Sequence, residues 1–293
     1  MPFRILAGGL GFIEGPALHR DGRLAVAAIS TGRVHVLDPA GRVLESHETG
    51  GGPNGLAWSE DALYVAQNGG IFGASGPARA GVQRIREGRV DYVFDFPFEA
   101  PNDLAFGPDG RLWVTDPLTD RALHEPVEGR VVACDPGTGR CEVMIEGRHF
   151  PNGLAFDASG EHLLLACTHD RAIERFSLRA GRASSEGVLC TTEKARPDGL
   201  ALDAAGNLWT CTPGSGGVEV FDPAGTPLRR IELGEGTMTT NLCFMGTALV
   251  VTAAGRGQVL VLDAGTEGLP LYPFRQGGPE GPVPHRRVAY SGW

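Results

Sequence analysis

Six polar residues recur along the chain at a nearly constant interval: Glu14, Asn54, Asn102, Asn152, Asp198 and Asn241, with gaps of 40, 48, 50, 46 and 43 residues. Each belongs to a similar phrase. Residues 101–114 read PNDLAFGPDGRLWV, residues 151–164 PNGLAFDASGEHLL and residues 197–210 PDGLALDAAGNLWT, with looser copies at Glu14, Pro53 and Thr240. A fold that gathers one position from every copy brings two carboxylates and four carboxamides to one place. Two acids in a confined, partly dehydrated space repel, and neither is easily buried unpaired. A divalent cation relieves both costs. The donors are all oxygen, which suits a hard ion such as calcium, magnesium or manganese, with iron(II) and zinc also compatible, and the donors alone do not choose among them. Asn beside Gly is also an ordinary turn pair, and Asn side chains often satisfy nearby backbone groups; these roles explain Asn54 and Asn241 well enough. It explains Glu14 and Asp198 poorly, so the expected cation set is Glu14, Asn102, Asn152 and Asp198.

The elements that must position these residues are strands. Each copy reads as a short apolar strand, a tight turn such as Asp21-Gly22, Asp109-Gly110 or Ser159-Gly160, and a second apolar strand. About twenty residues later a second turn signal follows in several copies, as in DPAG at 38–41 and 222–225. Two hairpins per repeat make a four-stranded blade, and a period of about 40–50 residues is that of propeller blades. No stretch sustains a 3.6-residue apolar period, so helix is expected to be minor. The fold expected is all-β: a single six-bladed β-propeller domain over residues 1–293, with four-stranded antiparallel blades. Phe3 to Leu6 are expected to pair with the last strands and close the ring, and the Gly/Pro-rich run 277–284 to be a surface crossing.

Composition mainly excludes. With 26 Lys+Arg against 35 Asp+Glu the formal net charge is −9, and a nucleic-acid surface needs a basic face. No nucleic-acid partner is expected. The first residues lack a signal peptide's apolar core and no apolar run approaches a membrane span. No membrane partner is expected and the location is read as cytoplasmic, as a monomer or small homo-oligomer. The six cysteines form no zinc spacing. They read as buried thiols, although Cys134 and Cys141 flank one turn and could face each other across it. Trp113 and Trp209 occupy the same place in two repeats and read as packing between blades.

The EGP at 14, PNDLAFGPDGRLWVTDP at 101, PNGLAF at 151 and PDGLALDAAGNLW at 197 together resemble the SMP-30/gluconolactonase/luciferin-regenerating enzyme superfamily, over nearly the whole chain. The resemblance implies a six-bladed propeller with one catalytic divalent metal in the central channel. It implies Glu14, Asn152 and Asp198 as ligands, Asn102 at the metal or in contact with substrate, and Asp198 as general base.

A site of this kind can open a lactone. A metal polarises the ester carbonyl and activates a water, and a carboxylate moves the proton to the leaving alkoxide. The expected function is a metal-dependent lactone hydrolase acting on a small-molecule lactone or ester. Ester or phosphotriester hydrolysis, hydratase, isomerase or cyclase chemistry are the alternatives on the same site, and a non-catalytic interaction platform is the alternative outside enzymes. Second-strand ends should return to the face of the ring and form its rim: Ser30, Asn68, Asp116, His169 and Thr212, with His149 and Arg196 just before two ligands. Of these, Asp116, His149, His169 and Arg196, together with Asn102, are the expected substrate contacts, Asp116 reading equally as a structural cap or turn acid. Many sugar lactonases of the superfamily carry an arginine before the PND segment, where this chain has Glu99-Ala100. The loop Asn68–Gly81, rich in Gly and Ala around Phe72, would make a less polar lid than a sugar needs. Both features point to a more apolar lactone or ester.

Overall fold

The computed structural model describes residues 2–71, 76–118 and 120–272. The proposed lid residue Phe72 and the run 277–284 lie outside these. The strands fall into six separate four-stranded antiparallel sheets, and the architecture is the six-bladed propeller. The innermost strands, in blade order, are Ile13–Leu18, Pro53–Trp58, Leu104–Phe106, Pro151–Phe156, Leu200–Leu202 and Thr239–Met245. Each pairs with the strand that follows its turn, so within blades 1 to 5 strand order is sequence order. Blade 6 is completed from the other end of the chain: Phe3–Gly8 pairs antiparallel with Gln258–Asp263. The closing hydrogen bonds therefore join the two ends and leave no open seam between first and last blades.

Packing follows from the alternation of the strands. Each blade presents apolar side chains on both faces, and the six hydrophobic clusters lie one at each junction between neighbouring blades. Trp113 and Trp209 sit in two of them, edge-on to Phe156 and Phe244 of the next blade at ring separations of 5.5 Å. Their indole N–H groups are not wasted, since they donate to Asp109 and Asp203 in the turns of their own blades. The two tryptophans are wedges between blades, as their repeated position predicts. The helical content is four short 3₁₀ turns among the described residues, and none of them is long or apolar enough to cross a membrane.

One cysteine expectation is corrected. Cys134 and Cys141 pair directly across the hairpin of blade 3 and form a disulfide, whereas Cys167, Cys190, Cys211 and Cys243 are buried free thiols. Antiparallel register places the two side chains on the same face of the sheet, which spacing alone left open.

After the last strand the chain crosses the far end of the channel. Leu269 N donates to Leu202 O, and the Tyr272 hydroxyl donates to Asp157 O at 3.3 Å. A cavity of about 190 Å³ lies beneath this crossing, walled by inner-strand side chains such as Leu56, Phe106, Leu154 and Phe244.

Candidate functional site

Backbone hydrogen bonds define which residues share a level in the channel. Asn102 N donates to Thr115 O and Asp198 N to Cys211 O, the same bond in two blades. Between blades, Gly55 N donates to Asn102 O at 2.8 Å and Gly199 N to Thr240 O at 2.9 Å. Asn102, Asp198 and Thr240 are therefore equivalent, and the ring is Glu14, Asn54, Asn102, Asn152, Asp198 and Thr240. Asn241, counted in the ring from the sequence, lies one residue further along its strand. The phrase TTNLC in blade 6 lacks the proline that punctuates the other copies, and only register identifies its member.

The next position explains why four copies carry glycine. Gly15 adopts φ +48°, and a Cβ there would lie 2.2 Å from Asn54 O in the adjacent blade. Blades are packed backbone to backbone at this level, so a side chain has no room between them. Blades 3 and 6, opposite each other, carry Asp103 and Asn241 instead. Their side chains meet across the channel, Asn241 Nδ2 donating to Asp103 Oδ2 at 3.2 Å. This pair is the floor of the ring and the roof of the apolar cavity. Asp103 is a third buried carboxylate that the sequence reading passed over, although an acid standing where PNG and PDG have glycine was the available signal.

The carboxylates are electrostatically frustrated. Glu14 is 5% exposed; burial, and then the charge of Asp103, push its pKa up to about 8, against hydrogen bonds from Gly15 N, Asn241 and Thr240. Burial raises Asp103 to about 6. Asp198 is raised well above the ordinary carboxylate range by burial first and by the charges of Glu14 and Asp103 next. Three acids in a low-dielectric channel cannot all ionise cheaply.

The amides present what such acids need. Asn152 Nδ2 donates to Thr168 Oγ1 at 3.1 Å, and Thr168 Oγ1 in turn donates to Pro197 O, which leaves Asn152 Oδ1 as the uncommitted end. The Asn102 side chain makes no hydrogen bond among the described residues, though it is 6% exposed. Asn54 is 3% exposed and its buried Oδ1 accepts nothing. Among the described residues no three His, Cys, Asp or Glu side chains close on a single point, so a cation would draw on amide oxygens as well as acids. Uncommitted neutral oxygens around mutually repelling carboxylates fit a hard divalent ion.

The rim is more heterogeneous than expected. Arg196 is exposed and its guanidinium makes no hydrogen bond or ion pair among the described residues. His149 Nδ1 faces Asp170 Oδ1 at 2.9 Å. His169 lies edge-on to Phe150 and uses Nε2 to hold Ala122 O. Ser30 accepts from Phe12 N, Thr212 donates to Gly217 O, and Asn68 is 1% exposed.

Asp116 is engaged within the fold, in the structural role its sequence context also allowed. It is fully buried, accepts from Glu99 N and Ala100 N, and forms an ion pair with Arg130 at 2.9 Å. Its carboxylate is committed to anchoring the segment that leads into Pro101-Asn102. Asp116→Ala strands Arg130 and two backbone donors and is expected to cost about 3–5 kcal/mol, measured by chemical denaturation. Unchanged stability with a raised KM would return Asp116 to the substrate contacts.

Known proteins resemble this chain in sequence and in fold. The family model described as "SMP-30/Gluconolactonase/LRE-like region" matches residues 12–255. A gluconolactonase of Zymomonas mobilis is 27% identical over 86% of this chain and 79% of its own. The pentonolactonase XacC of Haloferax volcanii is 28% identical over 83% of this chain and 82% of its own. Among solved structures, a regucalcin from Agrobacterium tumefaciens, described as a calcium-binding protein, superposes with a TM-score of 0.76 over 94% of this chain and 98% of its own; at 22% identity it speaks for the fold alone. The match over residues 12–255 spans all six inner strands and the whole polar ring, and the chain belongs to the SMP-30/gluconolactonase/LRE-like family.

Proposed function

We propose that this protein is a lactone hydrolase dependent on one divalent cation, calcium by preference, held by Glu14, Asn102, Asn152 and Asp198. The observation that carries the proposal is the convergence of repelling buried carboxylates and uncommitted amide oxygens on one level of the channel. The family relatives that act on lactones support the reaction class. When bound, the cation supplies carbonyl polarisation and a more acidic water.

The chain's own residues supply the rest. Asp198 takes the proton from the attacking water and returns it to the leaving alkoxide. Asn152, fixed through Thr168, keeps its oxygen in place without reorganisation. The free guanidinium of Arg196 and the imidazoles of His149 and His169 meet the substrate's polar groups at the rim. Ala100 is buried and follows Glu99 where a sugar-binding arginine would stand, which favours a lactone less polar than an aldonolactone.

The test is a panel of sugar and alkyl lactones, assayed by acid release with chelator-stripped protein before and after calcium. Cation-dependent release of one acid per lactone, without loss of water, is expected. A panel left intact while a phosphotriester is cleaved, or while water is eliminated, would replace the reading with its neighbour. Arg196→Ala is expected to raise KM about tenfold, the loss of one polar substrate contact, with calcium affinity unchanged by calorimetry. Loss of calcium binding instead would move Arg196 into the cation's shell.

A further inference from the structure

We infer that Asn54 is a further oxygen donor to the cation, supplied by blade 2. The inference rests on the proposed cation site and extends it to a residue whose sequence context, PNG, reads equally well as a turn.

Three observations point to it. First, Asn54 holds the ring position in its blade: its backbone carbonyl is the atom against which Gly15, next to Glu14, is packed, and Gly55 N bonds Asn102 O on the other side. Asn54 thus stands between Glu14 and Asn102. Second, its side chain is 3% exposed and its buried Oδ1 has no hydrogen-bond partner. A turn asparagine directs that oxygen to a backbone N–H one or two residues on, as Asp103 does to Leu104 N and Asn241 to Leu242 N. Asn54 makes no such bond. A desolvated, unpaired amide oxygen is costly, and such groups in native proteins mark a missing ion, water or ligand.

Third, the surroundings are built to hold this segment. Gln67 donates from Nε2 to Gly50 O and accepts from Gly52 N at 2.7 Å. Asn68 fills the space a Cβ on Gly52 would need. Gly51 and Gly52 admit these two amides immediately before Pro53-Asn54. A neutral donor delivered by so constrained a backbone adds no charge to a ring that already holds two acids and overlies a third. It completes a set of five oxygens, within reach of the six to eight that calcium takes once waters are counted.

The test uses the full chain, stripped and titrated calorimetrically with calcium, as wild type, Asn54→Ala, Asn54→Asp and Asp198→Ala. Asn54→Ala is expected to weaken calcium about tenfold, and Asn54→Asp, which replaces a neutral with a charged donor, to bind at least as tightly as wild type. Europium(III) luminescence lifetimes in light and heavy water should count about one more bound water in Asn54→Ala, where water replaces the lost donor. Wild-type affinity and water count in both Asn54 variants would overturn the inference while leaving the cation site standing. Absence of calcium binding by wild type would instead remove the site itself. Weakening in Asn54→Ala that Asn54→Asp does not restore, with an unchanged water count, would assign Asn54 to packing and also overturn the inference.

Discussion

Asp198→Ala and Glu14→Ala proteins are expected to keep the far-ultraviolet circular dichroism of the wild type while losing calcium affinity about a thousandfold and cation-dependent turnover with it. Each removes a charged donor, and the loss of a buried charge partner is worth about 3–5 kcal/mol, or two to four decades in affinity. The fold survives because neither side chain takes part in the inter-blade clusters or in closure between Phe3–Gly8 and Gln258–Asp263. Asp198→Asn separates the two duties assigned to this residue: it keeps an oxygen and loses the base, so turnover should fall much further than affinity. Full cation-dependent activity in Asp198→Ala or Glu14→Ala would remove that residue from the ring's chemistry.

The stripped protein should lose stability as pH rises from about 5 to about 8, and calcium should restore it. Glu14 is pushed up to about 8 and Asp103 to about 6, and Asp198 is raised as well, so the folded chain holds protons that the unfolded chain releases at ordinary carboxylate pKa values. Where the folded state binds more protons, stability falls with rising pH. The contribution is fully present below about pH 4 and is lost as pH passes through the raised values. His35 acts with the opposite sign, its pKa lowered by burial, but it is one imidazole against three carboxylates. Acids held down by turn hydrogen bonds, such as Asp38 and Asp222, titrate below this window. Differential scanning calorimetry should show a melting temperature lower by on the order of 10 °C at pH 8 than at pH 5.5. Calcium should remove the difference and release protons on binding. Asp198→Ala, with one repelling charge fewer, should melt above the stripped wild type at pH 8. A flat profile in the stripped protein would mean that solvent already screens the three acids.

What the chain reveals without its fold is the part encoded locally. Strand, turn and strand recur in every copy, and a closed ring is the arrangement that buries both faces of each blade, so the propeller, its number of blades and its closure by Phe3 to Leu6 follow from period and pattern. A ring position can likewise be recognised where Pro-Asn-Gly or Pro-Asp-Gly marks it, as at Asn54, Asn152 and Asp198, and the repeat interval extends the expectation to Glu14 in Glu-Gly-Pro and Asn102 in Pro-Asn-Asp. Asn241 was misplaced by one residue because Thr240, the true member, carries no such mark and only hydrogen-bond register distinguishes neighbours on a strand. The contact between Asp103 and Asn241 joins residues 138 apart and exists only because blades 3 and 6 face each other across the axis. Asp116 looked available until Arg130 and the amides of Glu99 and Ala100 were seen to occupy it, and Cys134 meets Cys141 through the register of one hairpin. Periodicity is a property of each residue and its near neighbours, whereas burial, partners and charge coupling belong to pairs brought together by closure, so only the tertiary structure could decide them.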